Sequence, residues 1–163
     1  MKFKFKIQQY QTDAVENTVA VFNGQPSHKA EYRLDKGTQR NRQQEMNIEE
    51  VGYCNHHIEL DDKTLLKNIN SIQNLYDIEP SHTLSKGLAR VNLDIEMETG
   101  TGKTYVYIKT MFELNKQYGW SKFIIVVPSI AIREGVAKSF KMLEEHFYSH
   151  YGKKARWFTY NSS

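Results

Sequence analysis

The sequence contains one cysteine, Cys54, among 163 residues. A single thiol cannot form an intrachain disulfide, so we predict no disulfide framework and expect the reducing environment of the cytoplasm. Only three prolines are present. No run of about eighteen apolar residues occurs, and no apolar segment follows the N-terminal lysines, so the sequence predicts neither a membrane span nor a secretory signal.

An excess of charge of one sign is also missing. The net charge is +3, with 12 basic and 12 acidic residues in 1–90 and 10 basic and 7 acidic residues in 91–163. This balance neither requires nor excludes a nucleic-acid partner. With 39% hydrophobic and 25% charged residues, the composition is that of an ordinary globular domain.

Residues 1–26 are predicted to form a strand and a helix. Lysine and apolar residues alternate over 2–7, as in an edge strand. Apolar residues at helical spacing predict an amphipathic helix over 12–22, which Gly24 and Pro26 end.

Residues 27–90 read as an insertion, mostly polar and irregular. One short strand is predicted within 51–60. A helix is predicted over 62–76, with Asp62 as its N-cap and Pro80 marking its limit.

From residue 91 onward, strand and helix patterns alternate. The expected elements are a strand over 91–97, a helix over 103–118 closed by Gly119, an apolar strand over 123–127 covered on both faces, a helix from Ser129 or Arg133 to His150, and a last strand over 155–160. This order predicts an α/β fold whose parallel sheet is flanked by helices.

The most specific motif is Thr99-Gly100-Thr101-Gly102-Lys103-Thr104, between a predicted strand and helix. It matches the second half of the P-loop pattern, in which glycines allow backbone N–H groups to surround phosphates. Lys103 is the candidate catalytic residue, placed between the β- and γ-phosphates of ATP, and the Thr104 hydroxyl is the candidate ligand of Mg²⁺. Met97 stands where the strict pattern has glycine.

Two further segments contain less specific candidates. Gln11, at the start of the first predicted helix, has a carboxamide that can match the N6 and N7 edge of adenine, although a solvated surface glutamine is the simpler interpretation. Ser129 and Arg133 follow the 123–127 strand, where a nucleic-acid phosphate can bind, or where Ser129 can serve only as a helix cap.

Histidines are poor metal candidates on sequence grounds. Cys54, His56 and His57 lie together, but no second Cys/His pair stands at zinc-finger spacing. His146 and His150 lack the glutamate of an H-E-x-x-H motif, so a solvated helix face is the better interpretation.

Residues 10–15, 93–104 and 123–135 together resemble the N-terminal part of the Res subunit of type III restriction-modification enzymes. The nucleotide loop of that family is similar over 93–104, Met97 included. Residues 124–129 and 132–135 resemble its next helicase motif. Tyr10-Gln11 is similar to the adenine-reading glutamine motif of superfamily 2 helicases.

The resemblance implies an ATP-driven translocase with two RecA-like lobes acting on duplex DNA, a C-terminal nuclease, and a Mod methyltransferase subunit as partner. Such motors also need an Asp-Glu pair at the end of a later strand to hold Mg²⁺ and activate water. The acidic pairs present are Glu49-Glu50, Asp61-Asp62 and Glu144-Glu145, and none follows a predicted strand beyond the loop.

We therefore expect residues 91–163 to be the first part of a truncated RecA-like, P-loop motor lobe. It would bind Mg-ATP as part of a restriction endonuclease and helicase-type hydrolase, and would be inactive alone. The alternative is a non-catalytic ATP- or DNA-binding module.

Overall fold

A computed structural model describes residues 6–28, 31–34, 51–87 and 89–160. Four helices and one antiparallel pair of strands occur in these ranges. They are α1 (Gln9–Ala20), β1 (Glu31–Leu34), β2 (Val51–Cys54), α2 (Asp62–Leu75), α3 (Lys103–Tyr118) and α4 (Ile130–Tyr151). None of these helices is both long enough and apolar enough to span a membrane.

The first two helices begin at polar caps. Helix α1 starts three residues before the predicted position, because Gln8 and Gln11 form a reciprocal capping box. Helix α2 is capped by Asp61, whose side chain accepts a hydrogen bond of 2.8 Å from the Thr64 amide. The prediction of Asp62 as N-cap was therefore wrong by one residue. Hydrogen bonding by the side chain of Thr64, and then by its amide, lowers the pKa of Asp61.

The last two helices match their predicted ranges closely. Helix α3 covers the predicted 103–118, and Gly119 closes it in the left-handed conformation. Helix α4 begins directly after Ser129, whose side chain accepts a hydrogen bond from the Ile132 amide. The apolar spacing of α4 predicts burial of Val136, Phe140, Leu143 and Phe147. Leu143 and Phe147 are buried, whereas Val136 and Phe140 are half-buried.

The predicted RecA-like α/β fold with a parallel sheet is contradicted. In the described ranges the strands are β1 and β2, which pair antiparallel with Glu31 opposite Cys54 and Leu34 opposite Val51. β2 confirms the short strand expected within 51–60. The edge strand predicted over 2–7 falls largely outside the described residues.

The three strands predicted after residue 90 are not formed. Residues 91–98, 121–127 and 153–160 have no strand assignment. Ile124 and Val126 are 92% and 88% exposed, so 123–127 is not covered on both faces, and Phe158 is 90% exposed. The apolar side chains of these segments suit a sheet, but a strand also requires a second strand to which its backbone can hydrogen-bond. No such neighbour pairs with them in the part of the chain described here.

Helix α3 is the central element of the packing. One apolar cluster joins α1, α2 and α3, and residues of 91–97 pack against it. Its buried members are Val15, Val19, Val21, Phe22, Leu65, Val106, Tyr118 and Trp120. A second cluster of Ile108, Leu143 and Phe147 joins α3 to α4. The core is thus helical, and α3 contributes to both clusters.

The predicted division of the chain into the regions 1–26, 27–90 and 91–163 stays a prediction.

Candidate nucleotide-binding loop

The loop before α3 turns on two glycines with positive φ. Gly100 has φ +83° and Gly102 has φ +89°, conformations that residues with a Cβ rarely adopt. Between them, Thr101 donates its hydroxyl hydrogen to the Glu98 carbonyl at 2.6 Å. These features define a tight turn, and α3 begins directly after it.

The N-terminus of α3 is the feature that suits an anion. Gly102 occupies its N-cap position, no side chain caps it, and the first turn contains no acidic residue. By contrast, Asp61 caps α2 and Ser129 caps α4. The first N–H groups of a helix and its dipole favour negative charge, and α3 leaves these groups without a side-chain partner.

Lys103 folds back over the loop. Its Nζ donates hydrogen bonds of 2.6 Å to the Met97 carbonyl and 2.8 Å to the Glu98 carbonyl, and the side chain is exposed. No carboxylate forms an ion pair with it in the ranges that the structure describes. The ammonium therefore lies at the loop with its charge not neutralised by an acidic group. Thr104 follows in the first turn of α3 and is half-buried.

Helix α1 brings Gln11 to this loop from 90 residues away. Its Nε2 donates to the Thr101 carbonyl at 2.9 Å, and its Oε1 accepts from the Gln8 amide at 3.4 Å. A Cβ on Gly102 would lie 2.6 Å from Gln11 Nε2. The structure thus unites Gln11 with Thr99–Thr104, and both ends of the Gln11 carboxamide are engaged within the protein.

Tyr10 also contacts the loop, a role that the sequence does not predict. Its hydroxyl donates to the Thr101 carbonyl at 3.1 Å, so two side chains of α1 hold the same loop oxygen. The sequence shows only that Tyr10 is the residue before Gln11. A hydrogen bond to a carbonyl in a distant loop produces no periodic pattern in the sequence, so this contact could not be predicted.

Ser129 and Arg133 lie at the start of α4, as predicted. The Ser129 hydroxyl caps the helix through the Ile132 amide at 3.3 Å, and its carbonyl accepts from the Arg133 amide at 3.0 Å. The guanidinium of Arg133 lies 3.5 Å from a carboxylate oxygen of Glu134. Ser129 therefore caps α4, and its contact with a nucleic-acid phosphate stays a prediction.

Comparison with known protein families supports the resemblance seen in the motifs. A family model described as "Type III restriction enzyme, res subunit" matches residues 4–157. The chain belongs to this family. The match covers α1 through α4, so the loop, Gln11 and the start of α4 all lie within the Res-subunit match.

Individual Res subunits show the same relationship. The chain is 40% identical over 122 residues to the EcoPI Res subunit of Escherichia phage P1, covering 73% of this chain and 12% of that protein. It is 40% identical over 112 residues to the EcoP15I Res subunit of Escherichia coli, covering 67% and 11%. It is 59% identical over 46 residues to the StyLTI Res subunit of Salmonella typhimurium. The chain thus spans about an eighth of the length of the EcoPI relative.

Proposed function

We propose that this chain binds ATP with Mg²⁺ at Thr99–Thr104, as the nucleotide-binding part of a DNA-dependent ATPase and translocase that acts in restriction of duplex DNA. The observation that carries the proposal is the uncapped N-terminus of α3 behind Gly100 and Gly102, with Lys103 beside it. Membership in the Res family supports the choice of substrate.

Each residue has a chemical role in this proposal. Lys103 would exchange the carbonyls of Met97 and Glu98 for β- and γ-phosphate oxygens, which bind an ammonium more strongly because they carry charge. The Thr104 hydroxyl would ligate Mg²⁺. Gln11 would exchange its bonds to Thr101 and Gln8 for the edge of adenine.

Equilibrium binding of a fluorescent ATP analogue in the presence of Mg²⁺ tests the proposal. Lys103→Ala is expected to weaken binding by about tenfold or more, since it removes a charge-assisted contact of about 1.5–3 kcal/mol. Lys116→Ala is the matched control, because Lys116 lies on the same helix and its side chain is 68% exposed. Equal binding by wild type and Lys103→Ala would overturn the proposal.

Hydrolysis by this chain alone is expected to be negligible. The acidic pair that activates water in such motors has no counterpart after the loop, since Glu144-Glu145 lies within α4. Phosphate release should stay at background with or without duplex DNA. DNA-stimulated turnover that Lys103→Ala abolishes would contradict this expectation.

Duplex DNA and a Mod subunit are the proposed partners. Arg133, at the start of α4, is the proposed contact to a DNA phosphate, together with Ser129. Arg133→Ala is expected to reduce the slope of log K against log salt by about 1, whatever the DNA sequence. Lys138→Ala, an exposed position on α4, provides the control. An unchanged slope in Arg133→Ala would remove Arg133 from the interface.

The second candidate is a non-catalytic ATP- or DNA-binding module. The two candidates differ in the DNA that follows this coding sequence. A reading frame for a second motor lobe directly downstream supports the motor. A stop codon followed by unrelated sequence supports the module.

A further inference from the structure

Three metal-ligating side chains converge away from the nucleotide loop. The rings of His28 and His56 are stacked with centroids 4.1 Å apart. Nε2 of His28 lies 2.7 Å from Oε1 of Glu59. One ligand atom from each of these residues lies within 4.8 Å of the other two. We propose that His28, His56 and Glu59 bind a divalent transition-metal ion, with Zn²⁺ as the expected ion.

The chemistry of the set suits zinc. Two imidazoles and one carboxylate are ligands that Zn²⁺ uses with a water in the fourth position. Tetrahedral coordination places ligand atoms roughly 3.4 Å apart, so small side-chain rotations would close the set from its present spacing. Nε2 of His28 lies 2.7 Å from Oε1 of Glu59 and forms no hydrogen bond within the described ranges.

The segment that carries His56 and Glu59 is fixed by a buried glutamine. Gln25 is 6% exposed; its Nε2 donates to the His57 carbonyl at 3.2 Å, and its Oε1 accepts from the Glu59 amide at 2.8 Å. Because the glutamine side chain bonds both sides of the segment, Glu59 is held at a defined distance from the chain that leads to His28.

The backbone at His28 is fixed from the other side by the end of α3. The His28 amide donates to the Tyr118 carbonyl at 3.3 Å. The His28 carbonyl lies so close to Gly119 that a Cβ there would be 1.7 Å from its oxygen. Both ligand segments are therefore anchored before any ion binds, which reduces the conformational entropy that binding would cost.

Asn55 extends the anchoring. Its Oδ1 accepts from the amides of Ser121 and Lys122 at 2.8 and 2.9 Å, and its Nδ2 donates to the Lys122 carbonyl at 2.7 Å. An ion at His28, His56 and Glu59 would join the segments 25–28 and 55–59, and both of these segments already hydrogen-bond to 118–122. The proposed role is structural: bound metal stabilises the junction that follows α3.

The test is calorimetric titration of the full chain with ZnCl₂, joined to thermal unfolding and to the visible absorption of the Co²⁺ form. The expected result is one ion per chain, a higher Tm with Zn²⁺, and a Co²⁺ spectrum of tetrahedral type. His56→Ala and Glu59→Gln are each expected to weaken binding by about tenfold or more and to remove the Tm increase. Glu59→Gln preserves side-chain size, so it separates lost ligation from misfolding.

Two controls make the result specific. His57→Ala changes an exposed neighbour of the cluster and is expected to bind Zn²⁺ as wild type does. The double variant His146→Ala/His150→Ala removes the other close pair of histidines, whose ring centroids are 4.4 Å apart on α4, and should also bind normally. The proposal is overturned if the double variant abolishes binding, or if His56→Ala and Glu59→Gln bind Zn²⁺ as tightly as wild type.

Discussion

Gly119 is a position where a single methyl group has a large structural effect. It has φ +79°, and an added Cβ would lie 1.7 Å from the His28 carbonyl oxygen. Gly119→Ala is therefore expected to lower the free energy of unfolding by roughly 2–4 kcal/mol, from backbone strain and from displacement of the 25–28 segment. Urea unfolding followed by circular dichroism measures the change.

Gly152→Ala is the matched control for that substitution. Gly152 also closes a helix with positive φ, +65°, but no atom lies within 4 Å of the position of its Cβ. Only the cost of the left-handed conformation remains, about 1 kcal/mol. Equal losses in the two variants would show that the close approach at Gly119 has no energetic consequence.

His146 gives the molecule a pH-dependent element. Burial lowers its pKa, and His150 and Lys109 lower it further. A histidine with a lowered pKa favours the folded state when neutral. Its contribution to stability is therefore complete above the unfolded value, about 6.5, and is lost as pH falls through the folded value.

His146→Gln tests this linkage. The unfolding free energy of wild type is expected to fall more steeply below about pH 6.5 than that of the variant, because the variant has no proton to bind at this position. Urea midpoints at a series of pH values provide the measurement. The difference in unfolding free energy between wild type and variant at pH 8, where the histidine is neutral in both the folded and unfolded states, is the baseline for this comparison. Parallel curves would contradict the assignment.

Among the elements, α4 is attached to α3 largely through aromatic side chains. Phe147 is 2% exposed, and its ring stacks on those of Phe112 and Tyr105 at centroid distances of 4.9 and 5.5 Å. Phe147→Ala is expected to cost about 3–5 kcal/mol of unfolding free energy, through lost burial and the cavity left behind. Tyr148→Ala, at a neighbouring position that is 52% exposed, should cost less than about 1 kcal/mol. Denaturant unfolding measures the loss of unfolding free energy in each variant, and so compares the buried face of α4 with its exposed face.

The helices were predictable because their signals are local. The apolar spacing of α4, the glycine at 119 and the serine at 129 each act within one or two turns, so the sequence contained the relevant interactions. The strands failed for the opposite reason. The apolar residues of 123–127 suit a sheet, but whether they form one depends on a partner segment, which the pattern does not specify.

The site was predictable to different degrees for similar reasons. The glycines and Lys103 form a contiguous motif, whereas Gln11 was indicated only by the chemistry of its carboxamide and by family resemblance. The His28–His56–Glu59 cluster was missed, since its members are distributed over 28–59 at no motif spacing. Tertiary contacts made by unrelated backbone segments bring these three together.

At the scale of the whole molecule, several large apolar side chains are exposed. Ile124 and Val126 belong to a run of apolar residues with high strand propensity and are 92% and 88% exposed, and Phe158 and Tyr160 are 90% and 84% exposed. Segments of this kind associate through strand pairing. We expect the chain to self-associate as its concentration rises.

The double substitution Ile124→Thr/Val126→Thr is expected to reduce concentration-dependent light scattering without lowering the Tm, because neither side chain is buried. Leu75→Thr/Ile78→Thr provides the control, since these residues are also exposed, at 71% and 55%, but do not belong to a continuous apolar run. The same reduction in both double variants would indicate general hydrophobicity rather than pairing of 123–127.

The contact of α1 with α3 joins parts of the chain that are far apart in sequence. Tyr118 donates its hydroxyl hydrogen to the Val19 carbonyl across 99 residues, and Gln11 reaches Thr101 across 90. The entropy of closing such a loop grows only logarithmically, by about 0.6 kcal/mol for each doubling of its length. The connection between the two helices can therefore lengthen considerably at little thermodynamic cost. Insertions between α1 and α3 are therefore tolerable where they leave the core residue Leu65 of α2 in place and still allow α1 and α3 to meet.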